Sequence, residues 1–355
     1  MIMNKTFVLF DLYNLYLRAV YSVHENDDIE LQKGMMLHTM IHMFKKVCDK
    51  FNPDHIVICS DGNGTWRKRV YPLYKMNRVE RLQERKPSEV IRDEALKNVF
   101  ENDFIPFLRD ETSMSFLSCK EAEADDLIAR FINLHPNDKH IIISTDNDYV
   151  QLLSDNVLIY NTMEERIISN RCMISALNNT PIKFSIKNGK VTVSRTDCTF
   201  SKYETELVPM KDWIDYALFN KCIRGDSSDN IFSAYPRVRE QSTKKSIGIM
   251  DAFLDRKDKG YNWQSFMNST WDNPLGEKQL VRECYERNRK IIDLNEIPDE
   301  LKEEFDNAIK EELVKEPRSN VGFYVGKYLQ RWNLVTLFES LHSFSGYFSR
   351  PFPKE

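Results

Sequence analysis

Short apolar runs alternate along this chain with stretches of helical period. Three runs end on an aspartate: Phe7-Val8-Leu9-Phe10 before Asp11, Ile56-Val57-Ile58-Cys59-Ser60 before Asp61, and Ile141-Ile142-Ile143-Ser144-Thr145 before Asp146. Runs rich in Val and Ile, with no polar alternation, predict parallel strands buried on both faces. Gly34–Phe51 places Met36, Met40, Ile41, Phe44 and Val47 on one helical face, and Ser88–Phe107 and Glu123–Leu134 also read as helices. Asn156–Asn161 predicts a fourth strand, and Ile182–Val193, with Asn188-Gly189 at its centre, predicts a β-hairpin. Beyond a soft boundary near Glu206 the pattern turns helical, over Met210–Ile223, Ser246–Leu254, Leu280–Ile292, Asp299–Val314 and Gly322–Phe344. The expected fold is α/β. A central, mainly parallel sheet flanked by helices occupies residues 1–205, and a helical domain occupies 206–355.

Ligands of open parallel sheets gather at the carboxyl ends of the strands. If the three runs are neighbours, Asp11, Asp61 and Asp146 converge there, and Glu121-Ala122-Glu123-Ala124-Asp125-Asp126 supplies a fourth acidic cluster. Carboxylates crowded in this way repel one another, which points to a hard-metal site of oxygen ligands. Asp125 and Asp126 also fall in the first turn of a helix, where the dipole favours negative charge. That capping account explains Glu121 and Glu123 less well.

Charge is distributed unevenly. The formal net charge of -4 does not suggest nucleic acid, yet Arg67–Arg92 holds nine Lys/Arg against Glu80, Glu84 and Glu89. Arg237, Arg239, Lys244 and Lys245 form a second basic patch, and much of the balancing acid lies in Glu296–Glu316. Basic arms around an acidic pocket fit a metal-dependent enzyme acting on a polyanion; the competing reading is a set of solvated helix faces. Pro72 and Pro87 bracket a polar stretch with little apolar period, which reads as a mobile arm. No apolar stretch approaches a membrane span, and no charged-then-apolar leader opens the chain. Seven cysteines without a C-x-x-C pair fit a reducing cytoplasm and speak against structural zinc. His38 and His42 lie a turn apart but lack the Glu of H-E-x-x-H, so they read as exposed helix histidines.

Asp11; Asp61 with Trp66-Arg67 and Tyr71-Pro72-Leu73-Tyr74-Lys75-Met76-Asn77-Arg78; Glu123-Ala124-Asp125-Asp126; Ser144-Thr145-Asp146-Asn147-Asp148; and Gly225-Asp226-Ser227-Ser228-Asp229-Asn230 stand in order along the chain. As a set they resemble the 5′-nuclease superfamily of flap endonucleases and 5′→3′ exonucleases, most of all its T-even phage ribonuclease H branch. The resemblance implies a PIN-like catalytic domain over 1–205 with a basic arch at about 64–92, and a helical DNA-binding domain over 206–355 with a helix-three-turn-helix-like element. It implies two Mg²⁺ ions, or Mn²⁺ in their place. Asp11, Asp61, Glu123 and Asp125 would belong to the first, and Asp126, Asp146, Asp148, Asp226 and Asp229 to the second, some of them through water. Lys75, Arg78, Asp125, Asp126 and Asp146 would carry catalysis, and Arg67, Lys75, Arg78, Arg81, Arg237, Arg239, Lys244 and Lys245 would contact nucleic acid. The implied activity is two-metal phosphodiester hydrolysis at 5′ ends, removing RNA primers and short flaps during replication.

The implied substrates are branched or nicked DNA and RNA–DNA hybrid with a free 5′ end. The implied setting is the cytoplasm of a phage-infected bacterium, as a monomer, with a sliding clamp and a single-strand-binding protein as partners. Phe232–Arg239 departs from the family's glycine-rich hairpin after Asp-Asn-Ile, so the resemblance does not carry a potassium site here. Tyr347–Phe352 reads either as a tail packed on its own domain or as a docking segment for those partners. Three other classes compete with the nuclease. A decayed, nucleic-acid-binding accessory protein would be expected to show Asn, Ser or Ala at some acidic positions. A phosphatase wants Asp-x-Asp, where this chain has Asp11-Leu12-Tyr13, and a small PIN-class ribonuclease would lack the basic arm and the helical region.

Overall fold

The computed structural model describes residues 4–24, 28–78, 85–195 and 210–353. The apolar runs form the middle of a nine-stranded sheet of order β3-β2-β1-β4-β5-β6-β7-β8-β9. β1 (Thr6–Asp11) pairs in parallel with β2 (His55–Cys59) and β4 (Lys139–Ile143). β3 (Ser115–Leu117) and β5 (Val157–Asn161) extend the parallel set on either side. Past β5 the pairing is antiparallel, through β6 (Arg166–Ile168), β7 (Met173–Ser175), β8 (Pro181–Lys187) and β9 (Lys190–Arg195). β8 and β9 are the predicted hairpin.

Alternation along β1 sends its side chains into two cores. Phe7 and Leu9 pack with Leu127 and Phe131 of the helix Ala124–Leu134 and with Leu301 and Phe305 of the helix Asp299–Leu313. Val8 and Phe10 pack on the other face with Ala19 of the helix Leu12–Tyr21, Met40 and Phe44 of the helix Ile29–Phe51, and Val325 of the helix Val321–Arg331. These β1 side chains are completely buried. Burial at that level contributes roughly 1.5–3 kcal/mol per large apolar side chain. The strand that carries Asp11 is therefore firmly anchored on both faces.

Several predicted elements are redrawn. The Gly34–Phe51 helix starts at Ile29, because the Asp28 carboxylate caps it by accepting from the Glu30 N–H at 2.9 Å. Ser88–Phe107 divides into the helix Pro87–Val99, a wider π-type turn at Phe100–Phe104 and the helix Ile105–Glu111. Gly322–Phe344 is three helices, Val321–Arg331, Val335–Glu339 and Leu341–Phe348, interrupted where Asn333 takes a left-handed φ of 51°. A small hairpin, β10 (Thr270–Asp272) with β11 (Lys278–Leu280), interrupts the otherwise helical second half.

The helical region does not form one separate lobe. Tyr216, Phe219, Ile223, Phe253 and Phe266 build a core of their own, whereas the chain from Ile297 onward returns to both faces of the sheet. The basic segment leading into the expected mobile arm, and the arm's start at Tyr74, are likewise part of the body. Trp66, Tyr71 and Tyr74 are buried, and the two tyrosines pack with Cys222, Ile231 and Ile291. The aromatic tail folds back: Phe348 is buried, and Phe352 stacks on Phe7 with centroids 5.4 Å apart. His38 contacts the Thr336 hydroxyl at 3.1 Å, tying its helix to the C-terminal helices. Among the described residues no helix is long and apolar enough to cross a membrane.

Candidate metal centre and nucleic-acid interface

Parallel register brings the carboxyl ends of β1, β2 and β4 to one edge, with Phe10 opposite both Ile58 and Ile143. Asp11 ends β1 and caps the following helix by accepting from the Asn14 N–H at 3.1 Å. Its carboxylate also accepts from the Tyr149 hydroxyl at 3.0 Å and the Ser144 hydroxyl at 3.3 Å. Burial first, and then the neighbouring Asp61 and Asp146 charges, push the Asp11 carboxyl up to about 7 against the stabilising Asn14 and Tyr149 hydrogen bonds. Asp61 stands open to solvent at the rim and accepts from the Ala124 N–H at 2.8 Å; crowding by protein raises its carboxyl as well. Asp146 caps the turn Asn147–Leu152 through the Asp148 N–H at 2.9 Å. Among the described residues, none of these three carboxylates has an ion-pair partner within 4.0 Å.

The second acidic cluster is arranged differently. The Arg67 guanidinium, 2% exposed, donates to Glu123 at 2.9 Å, to both Asp126 oxygens at 2.9 Å, to Asp125 at 3.4 Å and to the Ile291 carbonyl at 2.9 Å. Asp126 is fully buried, and it also accepts from the Trp66 indole N–H at 3.2 Å and the Glu123 N–H at 3.0 Å, closing a capping box. Glu123 further accepts from the Tyr74 hydroxyl at 2.8 Å and from the Lys75 ammonium. Burial opposes its ionisation, yet Arg67 and Lys75 outweigh that and hold the Glu123 carboxyl down at about 2. Asp125 is raised, first by burial, despite Arg67. Tyr74 at 3.1 Å and Arg78 at 2.7 Å both donate to Asp229, whose backbone carbonyl accepts from the Lys75 N–H at 2.9 Å.

A third group forms around Lys221, which lies buried on the helix Trp213–Arg224. Its ammonium pairs with Asp148 and stands 2.8 Å from Asp226. Asp226 also accepts from the Ser228 N–H at 2.8 Å and is held below the usual carboxylate range, Lys221 overcoming the cost of burial. Asp148 is raised to about 6, by burial and then by Asp146. Gly225 leads into this turn at φ 72°; a Cβ there would meet the Ile231 carbonyl at 2.2 Å, so only glycine fits.

The nine expected metal-site acids thus lie around one edge of the sheet but divide into three groups. Among the described residues Asp11, Asp61 and Asp146 have no cationic partner within 4.0 Å; Glu123, Asp125, Asp126 and Asp229 are paired by Arg67, Lys75 and Arg78; Asp148 and Asp226 are paired by Lys221. Among the described residues no three acidic side chains close on one point at coordinating distance. Two expectations need correction. Arg67 is buried and committed to three carboxylates, so it is not placed to contact a phosphate. Asp126 has both oxygens occupied by Arg67 and is closed to solvent, which leaves it a structural role rather than a ligand's. Arg81 lies outside the described residues. Arg237, Arg239, Lys244 and Lys245 are exposed, as a phosphate contact requires.

Sequence reasoning missed Lys221, Tyr74 and Tyr149. For Lys221 a signal existed: a lysine flanked by Phe219, Cys222 and Ile223, one turn before Gly225-Asp226, is a charge on a helix face that must be buried.

Residues 6–177 match the family model of the 5′-3′ exonuclease, N-terminal resolvase-like domain. Over these residues the chain is similar in sequence to the 5′-nuclease superfamily. Curated relatives of this superfamily include the flap endonuclease Xni of Psychromonas ingrahamii, 27% identical over 171 residues, covering 47% of this chain and 60% of that protein. Xni of Colwellia psychrerythraea is 26% identical over 208 residues, covering 53% of this chain and 64% of that protein. The match therefore spans about three fifths of the length of these relatives. Among 5′-nuclease structures, the bacteriophage T5 flap endonuclease, in a pseudo-enzyme-product complex with DNA and metal ions, has a TM-score of 0.54 at 19% identity, covering 87% of this chain and 99% of that one. T5 5′-exonuclease with bound divalent zinc gives 0.55 at 18% identity, covering 86% and 99%. These two establish a shared fold.

Proposed function

We propose that the protein is a metal-dependent 5′ nuclease, hydrolysing phosphodiester bonds at the 5′ ends of branched or nicked DNA and of RNA–DNA hybrid. Primer and flap removal during phage replication in the bacterial cytoplasm is the role this reading assigns. The observation that carries it is the trio Asp11, Asp61 and Asp146, three carboxylates with no ion-pair partner within 4.0 Å among the described residues, at the carboxyl edge of a parallel sheet near the cations Lys75 and Arg78.

The donor set fits a hard divalent ion, because every candidate ligand is an oxygen and crowding with Asp61 and Asp146 raises the Asp11 carboxyl. Mg²⁺ keeps several of its waters, so it does not require three carboxylates closed on one point. Asp11, Asp61 and Asp146, with Asp125 beside them, would hold one Mg²⁺ or Mn²⁺. Asp148, Asp226 and Asp229, now balanced by Lys221, Lys75 and Arg78, form the group for a second. Such ions supply an activated water and stabilise the leaving oxygen of an in-line displacement.

The chain's own cations do the rest. Lys75 and Arg78 rest on Glu123 and Asp229 at the pocket mouth, where an incoming phosphate competes for them and is drawn toward the acids. Arg237, Arg239, Lys244 and Lys245, between the helices Trp213–Arg224 and Ile249–Leu254, serve as exposed duplex contacts in a helix-three-turn-helix-like element. In this reading the catalytic domain is 1–205, with the chain from Ile297 onward packed back on its sheet, and the DNA-binding part lies between them in a monomer. A sliding clamp and a single-strand-binding protein belong to the same reading, although the aromatic tail offered as their docking point is packed on Phe7.

A 5′-labelled flap incubated with Mg²⁺ tests the proposal. Short labelled products cut near the junction are expected. Tight binding with no cleavage would instead support a non-catalytic accessory protein.

A further inference from the structure

An open groove of about 680 Å³ lies beside the acidic pocket, between the turn of the β8–β9 hairpin and the loop that follows Gly225. Lys187 and Lys190 flank the Asn188-Gly189 turn on one wall, and Ser227 and Arg237 line the other. The hairpin is held in place rather than projecting freely. Gly189 packs so closely on the helix Trp213–Arg224 that a Cβ would stand 2.6 Å from the Lys221 Cα. The Val191 N–H donates to the Asn147 side chain at 3.2 Å, next to Asp146. Lys190 reaches Asp226 at 3.8 Å, and the opposite wall is pinned to the basic segment where the Asn77 amide donates to the Ser227 carbonyl at 2.8 Å. Among the described residues lining the groove the acid is Asp226, which shares Lys221, 2.8 Å away, with Asp148. Lys187, Lys190, Arg224 and Arg237 against Asp226 give the groove's lining more positive than negative side chains.

We infer that the β8–β9 hairpin is a nucleic-acid contact: Lys187 and Lys190 form, with Ser227 and Arg237, a groove that holds one phosphodiester backbone of the substrate next to the acidic pocket. The inference rests on the proposed nuclease reading and adds an element that reading does not include. Spaced lysines on a fixed turn neutralise phosphates without reading bases, so the contact is independent of sequence and sensitive to salt.

The test is fluorescence anisotropy with a labelled 5′-flap DNA in EDTA buffer, measured across a salt series. The double variant Lys187→Gln/Lys190→Gln is expected to bind about tenfold more weakly, with a salt slope smaller by about 1–2. Lys139→Gln, at the amino end of β4 on the far side of the sheet, should leave both unchanged. If the double variant does not fold, Lys187→Gln alone should show about half the slope change. Wild-type affinity and slope in the hairpin variants, or an equal loss in Lys139→Gln, would overturn the inference while leaving the nuclease reading standing. A wild-type protein that binds no flap at any salt would remove both.

Discussion

Replacing Arg67 by methionine separates the role its sequence context implies from the one its surroundings impose. The guanidinium is 2% exposed and faces Glu123, Asp125 and Asp126, and Asp126 is completely closed to solvent. Removing one partner from a buried charge network leaves uncompensated charge, a loss of roughly 3–5 kcal/mol. Urea unfolding at pH 7 should therefore show the Arg67→Met stability falling by about that amount. The loss has a defined pH dependence. Glu123 is held near 2 against an ordinary 4.5, so the stability it contributes through Arg67 and Lys75 is fully present above 4.5 and disappears as pH falls toward 2. Wild type and variant should converge in that acid window. Adding Asp126→Asn should recover part of the loss, because the two sites share one network. A loss below about 1 kcal/mol at pH 7, together with a salt slope for DNA binding lowered by about 1, would refute this reasoning and restore Arg67 as a phosphate contact.

Other predictions are simpler. In the absence of nucleic acid, Mg²⁺ should raise the melting temperature, by up to about 2.7 kcal/mol of stability at a hundredfold excess over its dissociation constant, and Asp11→Asn should abolish most of that gain. His55 is buried between the Arg350 carbonyl at 3.0 Å and the Ser115 hydroxyl at 2.9 Å, and burial lowers its pKa to about 4 from 6.5. The unfolded chain thus takes up a proton that the native one refuses, so stability is lost as pH falls from 6.5 toward 4. The loss due to His55 should reach about 2 kcal/mol at pH 5 and vanish in His55→Asn, read from urea midpoints. Gly225→Ala should destabilise the fold by at least 1–3 kcal/mol (order of magnitude) in the same assay, since it combines a positive φ with a clash on the Ile231 carbonyl.

Where local composition dictated structure, the sequence was readable. β1, β2 and β4 are built on uninterrupted apolar runs, and in a parallel sheet the aspartates at or just after their ends come to the same edge. The hairpin followed from Asn188-Gly189, whose residues take φ 51° and 75°. What sequence could not supply was partnership across distance. Arg67 sits 56 residues from Glu123, and Lys221 sits 73 from Asp148; only the fold decides which acids of a cluster are neutralised and which stay open to a metal. The stretch after Pro72 reads as mobile because nothing local marks Tyr74, or Trp66 and Tyr71 just before it, as buried anchors that pull its start into the body. The return of the chain after Ile297 escaped notice for a similar reason: an amphipathic helix declares that one face is covered, not by what.

Single-turnover cleavage of a 5′-labelled flap with Mg²⁺, comparing wild type with Asp146→Asn, probes the central claim most directly. If the open carboxylates at the sheet edge are the reaction centre, the variant binds the flap like wild type and cuts it at least a hundredfold more slowly (an order-of-magnitude expectation for the loss of a metal-site carboxylate). Cleavage by Asp146→Asn at the wild-type rate and position would contradict the account.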